Sequence, residues 1–484
     1  MFSSINYLVL VSITAKGIFA TSNQCKSTPQ DLCWPLAKEW QQLNASVDGQ
    51  LIASHPIAQS CYPGAFANAP ECSLISSLWR SIPFQINSPI GYPQPFDLPC
   101  PPINASAGEV PRGTYHVAAG INFARLHNIR LVIRDTGHDF LGRSTGFGSL
   151  QIWIRYLRAG IVFHDKFVQP GSSWQGSAVT IGGGYEWKDV YDEAAKRKLI
   201  VVGGVSSTVG CIGGWMQGGG HGPPSHKYGL GSDQVLEARV VLANGSLVTT
   251  SPTQFPDLFF AIRGGGPSSY GVVVEATVKA WPTAPLVRQT LLMVAQTLQA
   301  RSEFLSALKD IYAGVPLVAK NHWSGYGDWM ASTAATFYSH SWINFDLGLQ
   351  DAQAAFAPIA DKLLARNNTQ LFITVNYTSY ATYADFYDAT YHSEGATGDL
   401  IQVASRFLDV ESLGPAQQGS LNTLEVHGAP FGAIRHDNSA ANPAWRRAAL
   451  VAQITNEKEA SLKALAPNTG SYGNRLAEIK ARSA

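Results

Sequence analysis

The sequence predicts an α+β protein made of two successive α+β units, on three observations. Between residues 129 and 281, short apolar runs of strand character alternate with segments of helical spacing. Within that region an Asn244-Gly245 pair separates two such runs and reads as a hairpin turn. Beyond Pro285 glycine becomes sparse and longer helical spacings begin, which sets a domain boundary near residue 283.

Each element follows from its own residues. Ile129–Asp135 (IRLVIRD) reads as a strand, and SLQIWIRYL from Ser149 alternates apolar with other residues as a second. Ser177–Gly184 is a strand ending in glycines, and Glu186–Lys198 carries Val190, Tyr191, Ala194 and Ala195 on one helical face. Leu199–Val205 is a further strand. The hairpin EARVVLA-NG-SLVTT follows, with Asn-Gly suited to a two-residue type I′ turn. Asp257–Arg263 is a short helix closed by Gly264–Gly266, and Tyr270–Trp281 a last strand. In the second unit we expect helices over Arg301–Tyr312, Gln350–Arg366 and Tyr383–Tyr391, strands over Ser341–Leu347 and Gln370–Tyr377, and one long helix over Asn442–Ala466. No internal repeat of solenoid length is visible.

Composition narrows the function. The chain has 484 residues, 45% of them hydrophobic, and 35 Lys+Arg against 34 Asp+Glu, so no overall field draws it to nucleic acid or acidic membranes. Residues 1–20 read as a signal peptide, because Tyr7–Ile13 is apolar and Ile18-Phe19-Ala20 offers a small residue for cleavage; Lys16 makes the run too short to span a membrane. Cys25, Cys33, Cys61, Cys72 and Cys100 crowd into the N-terminal region 21–109, which suits disulfides on a secretory route. Sequons at Asn44, Asn104, Asn244, Asn367 and Asn376 are glycan acceptors on that route. No cysteine or histidine spacing suggests a metal site.

Three familiar motifs nearly fit the glycine clusters. Gly137–Ser144 has Walker A spacing, but Arg143 stands where lysine is required and no helix follows. Gly142-Arg143-Ser144-Thr145-Gly146 matches a nucleophile elbow, which makes a serine hydrolase with Ser144 as nucleophile a distant alternative; a loop precedes it and a strand follows. No Gly-x-Gly-x-x-Gly opens a helix after a first strand, so a Rossmann fold is disfavoured. Four glycine-rich segments nonetheless lie at strand ends: Gly137–Gly148, Gly182–Gly184, Gly203–Gly222 and Gly264–Gly271. Together they can offer backbone N–H groups to a pyrophosphate without a basic cluster, as a dinucleotide cofactor needs.

TGHDFLGRSTG before SLQIWI, then STVGCIGGWMQGGGHGPPSHKYGLGSDQ, then DLFFAIRGGGPSSYGVVVEATVKAWP, resemble the fungal berberine-bridge-enzyme-like FAD-linked oxidoreductases, most closely their isoamyl-alcohol-oxidase-like, secondary-metabolism members. The resemblance runs over roughly residues 25–460. It implies a PCMH-type FAD-binding domain of two α+β subdomains (110–283), an α+β substrate domain with an antiparallel sheet over the flavin (284–445), and a C-terminal segment (446–484) returning to the FAD domain, here shortened. It implies that His138 is bonded to the flavin 8α-methyl, and that FAD is surrounded by Arg134, Asp135, Thr136, Gly137, Asp139, Arg143 and Ser144, by Ser206, Thr208, Val209, Gly210, Gly213 and Gly214, and by Gly218, Gly219, Gly220, His221 and Gly222.

The chain also departs from the family. Ser206 stands where many relatives have a second flavin-linking cysteine, so one link is expected, and Cys211 does not take that role. Phe140 replaces a usual tyrosine, and the segments around Asn104–Arg125 and Ser471–Ala484 are shortened. The implied reaction is an oxidation in which a small alcohol or pathway intermediate passes a C–H hydride to flavin N5 and O₂ reoxidises the flavin to give H₂O₂. A flavin-binding pathway partner with little activity is the competing expectation, motivated by those departures. Tyr377 and His427, in strand-like stretches of the substrate domain, are candidate proton acceptors.

Overall fold

A computed structural model describes residues 26–61, 66–92, 114–139, 141–267, 269–331, 335–391, 403–409, 425–427, 439–448, 450–455 and 459–471. The signal-peptide region, Cys25, Cys100, Asn104 and Phe140 lie outside these residues.

The N-terminal region contains helices α1 (Ala37–Ser46), α2 (Ala69–Leu78) and α3 (Ile82–Ile86), with a Cys61–Cys72 disulfide beside α2. Asn68 and Ser81 cap α2 and α3 by accepting from the Glu71 and Phe84 N–H groups, and both helices carry proline in the first turn. Helix α4 (Thr114–Leu126) packs on a two-stranded parallel sheet of β1 (Arg130–Arg134) and β2 (Ser149–Trp153). The glycine loop that ends β1 is the connection between these strands.

The next sheet is antiparallel and contains β3 (Ile161–Val168), β4 (Gln175–Gly182), β5 (Leu199–Val201), β6 (Val235–Val241), β7 (Leu247–Thr250) and β8 (Val272–Pro282). Its order is β3-β4-β8-β6-β7, with β5 paired to β8. Two short helices lie between its strands, α6 (Ser225–Tyr228) before β6 and α7 (Pro256–Ile262) between β7 and β8. Helix α5 (Trp187–Lys196) buries Trp187, Val190, Tyr191 and Ala194, its i, i+3, i+4, i+7 stripe, against this sheet. The β6–β7 turn differs from the expected type I′. Positive φ occurs at Gly245 and not at Asn244, whose Oδ1 accepts from the Ser246 N–H, and Leu242 N–H donates to Ser246 O at 2.8 Å. The result is a three-residue loop with a left-handed glycine.

The sheet of the second unit has order β10-β11-β9-β12, all antiparallel, from β9 (Leu286–Ala295), β10 (Ser324–Ala331), β11 (Thr336–Asn344) and β12 (Leu371–Tyr380). Helices α8 (Arg301–Lys320) and α9 (Leu349–Leu364) cover one face, packing Phe304, Ile311, Phe356 and Leu363 on Leu291, Met293, Tyr338 and Trp342. The opposite face carries Arg288, Thr290, Tyr326 and Ser341, because side chains alternate along each strand. Helix α10 (Tyr383–Tyr391) buries Tyr383, Phe386 and Tyr387 in the core of the other domain, and Tyr387 donates its hydroxyl to Val205 O at 2.7 Å.

The long helix expected over Asn442–Ala466 is not formed. Asn442 caps a short turn at Pro443–Arg446, and Leu450–Thr455 becomes β15, the centre of a sheet ordered β13-β15-β14 with β13 (Val403–Leu408) and β14 (Glu425–His427). A helix α11 resumes at Glu459–Leu465. Pairing on both edges outweighs the local helical spacing of this run, and its Val451, Ile454 and Thr455 suit a strand.

Candidate active site

The site begins where β1 ends. Arg134 is buried at 1% exposure, and its guanidinium lies beneath Gly137, whose φ of +83° and 3.0 Å clearance from Cζ admit no side chain. That geometry turns the loop and presents His138, whose Nε2 lies 2.9 Å from Thr208 Oγ1. Asp139 accepts from the Arg143 backbone N–H at 2.6 Å and pairs with the Arg143 guanidinium, so these two side chains lock the loop.

Thr208 belongs to the Gly203–Gly222 segment, which is stitched to the start of the His138 loop at two more points. Gly210 N–H donates to Thr136 Oγ1 at 3.2 Å, and the Asp135 carboxylate packs so closely on Gly210 that a Cβ there would overlap it. Both Asp135 carboxylate oxygens are buried without a hydrogen-bond partner among the described residues. Burial pushes this carboxyl up to about 8, against the lowering pull of Arg155, which is itself paired with Glu186. At neutral pH the protonated form is therefore favoured. Ser206 Oγ lies 3.5 Å from Thr208 Oγ1 on the same loop. Cys211 is buried in the hydrophobic core, with its thiol pushed well above the usual range by desolvation.

The end of that same segment, Gly218–Gly222, carries His221 to the sheet of the second unit. Its Nδ1 is 3.1 Å from the Tyr326 hydroxyl, and its ring lies 5.4 Å from that of Trp445. Tyr326 stands on β10, on the sheet face away from α8 and α9. Near it on that face, Arg288 Nε donates to Ser341 Oγ at 2.9 Å. Tyr377 lies on the other face, packed against the α8–α9 core, with burial pushing its phenol up to about 12; the structure does not bring it to His221. His427 falls in β14, opposite Val451. Ser144 sits in a loop that leads to β2 and no helix, so it lacks the elbow of a serine hydrolase.

Sequence reasoning placed the loops but not Tyr326 or Trp445. Tyr326 sits in β10, a strand without a clear apolar alternation, and Trp445 lies in the run read as helix. Neither carries a local signal of its role.

An FAD binding domain model matches residues 108–251. The FAD-linked oxidoreductase apf9 of Gibberella fujikuroi is 37% identical over 93% of this chain and 87% of its own length. The FAD-linked oxidoreductase hmp9 of Hypomyces subiculosus is 34% identical over 93% and 82%. Among solved structures, the VAO-type flavoprotein MtVAO713 of Myceliophthora thermophila superposes with a TM-score of 0.84 at 32% identity, covering 93% of this chain and 90% of that one. Fold and site thus define a VAO-type flavoprotein. Within that class the chain belongs to the berberine-bridge-enzyme-like FAD-linked oxidoreductases, and its cofactor is FAD.

The residues present fit that cofactor. Gly142 and Gly214 present backbone to open space, with no atom within 4 Å of where a Cβ would stand. Burial favours the protonated form of the carboxyl beside Gly210 and Gly213, which lessens its repulsion of a pyrophosphate.

Proposed function

We propose that this FAD-dependent oxidoreductase is an oxygen-dependent oxidase of a small alcohol or secondary-metabolite intermediate, with FAD attached covalently through His138. Bound there, FAD would supply a hydride acceptor for the substrate C–H bond and a route for its electrons to O₂, giving H₂O₂. The observation that carries this reading is the His221–Tyr326 pair, which links a glycine loop to the sheet of the second unit, on a chain whose other glycine loop presents His138 against Thr208. His138 and Thr208 anchor and orient the cofactor. Tyr326 and His221 share a hydrogen bond through which a substrate hydroxyl proton is taken up, with Arg288 and Ser341 on the same sheet face offering further polar contacts. Ser206 in the place of a second linking cysteine, and Cys211 in the core, support a single covalent bond.

The test is the absorption spectrum of purified protein during anaerobic titration with primary and secondary alcohols, followed by admission of air. Bleaching and recovery with one equivalent of H₂O₂ are expected for at least one alcohol. Flavin that no alcohol bleaches would favour the pathway-partner role. His138→Ala is expected to give yellow native protein with a colourless acid precipitate, against a yellow precipitate from the unaltered chain.

The secretory reading is also proposed. Asn244, Asn367 and Asn376 are exposed, Asn44 is half-buried, and the Cys61–Cys72 bridge suits an oxidising route. Protein from a eukaryotic host should start near Thr21 and shift on glycosidase treatment. An unshifted band with Met1 retained overturns this.

A further inference from the structure

The segment before the matched FAD-binding region sends its polar groups to the His138 loop. Gln85, buried in α3, donates Nε2 to Trp79 O at 2.7 Å, and its Oε1 accepts from Tyr92 N–H at 3.0 Å, so one amide ties the end of the turn Ser88–Tyr92 back to the chain before α3. From β1, Arg134 donates to Pro89 O at 3.2 Å and to Gln85 O at 3.4 Å. From β2, Gln151 Nε2 donates to the same Pro89 carbonyl at 2.6 Å. Tyr92 then donates its hydroxyl to Asp139 O at 2.7 Å. Burial raises the Tyr92 phenol, so it stays a donor throughout the physiological range.

These contacts bracket one residue. Gly137, just before His138, rests on the guanidinium that grips Pro89 and Gln85; Asp139, just after it, is held by Tyr92. Asp139 O also accepts from Gly142 N–H at 3.1 Å, a bond within the loop itself. Loss of the Tyr92 hydroxyl therefore leaves the turn closed and Gly137 on Arg134, but removes the segment's hold on the Asp139 side.

We propose that the Gln85–Tyr92 segment is the seat that aims the His138 imidazole, and that Tyr92 is a positioning residue for covalent attachment of FAD. The proposal rests on the reading of His138 as the attachment residue. Attachment joins an imidazole nitrogen to the 8α carbon; the imidazole N–H proton and one 8α proton are lost, and two electrons pass into the flavin ring and on to dioxygen. Such a bond forms only when nitrogen and carbon are held within near-contact distance and in line, and a misplacement of about 1 Å costs on the order of a hundredfold in rate.

The experiment compares unaltered protein with Tyr92→Phe, each made without flavin, loaded with FAD in air, and sampled over time for acid-stable flavin. Hydrogen exchange of the 137–143 amides is measured on the same samples. For Tyr92→Phe we expect acid-stable flavin to form at least about tenfold more slowly, faster exchange across the loop, and undiminished total FAD in the native protein. Attachment at the unaltered rate overturns the proposal, even if exchange rises, because the seat then supports the loop without aiming His138. Unchanged exchange overturns it as well. If the unaltered protein itself gives no acid-stable flavin, the covalent reading has failed, and positioning for attachment falls with it; exchange then reports only whether Tyr92 holds the loop. Should Tyr92→Phe not be recovered folded, Gln151→Met removes the shorter of the two Pro89 tethers, leaving that of Arg134, and should slow attachment in the same direction, with an unaltered rate again overturning the proposal.

Discussion

Asp135 shows how one side chain sets a pH limit on the cofactor loops. In the unfolded chain its pKa is near 3.9, and in the fold burial raises it to about 8. Between these values the folded state holds a proton that the unfolded state has released, so stability falls as pH rises from about 4 to about 8. Asp135→Asn keeps the shape and removes the titration. The variant's melting temperature should exceed that of the unaltered protein by more at pH 8.5 than at pH 5.5, and parallel curves would show that this carboxyl is not the cause. FAD affinity should follow the same sense, weakening above pH 8 in the unaltered protein alone, because the ionised carboxylate then stands beside Gly210 and Gly213.

At the scale of elements, the two glycine segments act as one unit because Gly210 lies directly on Asp135. A methyl at Gly210 overlaps the carboxylate, and it also threatens the Gly210 N–H to Thr136 bond and the neighbouring Thr208 contact with His138. Gly210→Ala should cost about 1–3 kcal/mol of stability by overpacking and weaken FAD binding, measured by denaturant melts and flavin titration; a neutral result would mean that the loops move independently. The legible elements were those whose residues carry their own pattern: β1 and β2 by apolar runs, α5 by its buried stripe, α9 by helical spacing. The hairpin was found but its turn mistaken, since Asn244 spends its side chain on Ser246. β11 was placed too late because its inward row includes His340, whose imidazole is buried between Tyr338 and Gln289 and looks polar in sequence. β9 and β10 escaped notice, and with β10 went Tyr326. The candidate site was legible to the extent that it is backbone; its side-chain partners come from distant strands, and spacing along the chain says nothing about them.

On the scale of the whole molecule, the C-terminal segment is fastened to the glycine-loop domain by one ion pair across 213 residues: Arg446 donates to both Asp233 oxygens, at 2.6 and 2.7 Å. Asp233 is fully buried there, and one of its oxygens also accepts from the Leu230 N–H at 3.0 Å. Beside this pair, Trp445 packs on Phe407 and faces His221, so the same turn that fastens the segment also walls the candidate site. Arg446→Met keeps the length of the side chain but leaves a buried carboxylate with its main cation removed, a change that costs about 3–5 kcal/mol. Asp233→Asn with Arg446→Met removes both charges and should recover much of that loss. Because Trp445 sits next in the chain, the single variant should also raise the Michaelis constant for any alcohol that bleaches the flavin, while the acid-stable flavin fraction, which the proposed His138 link would set, stays unchanged. If Arg446→Met melts like the unaltered protein, the C-terminal segment is held by its apolar contacts alone and the ion pair contributes register without stability.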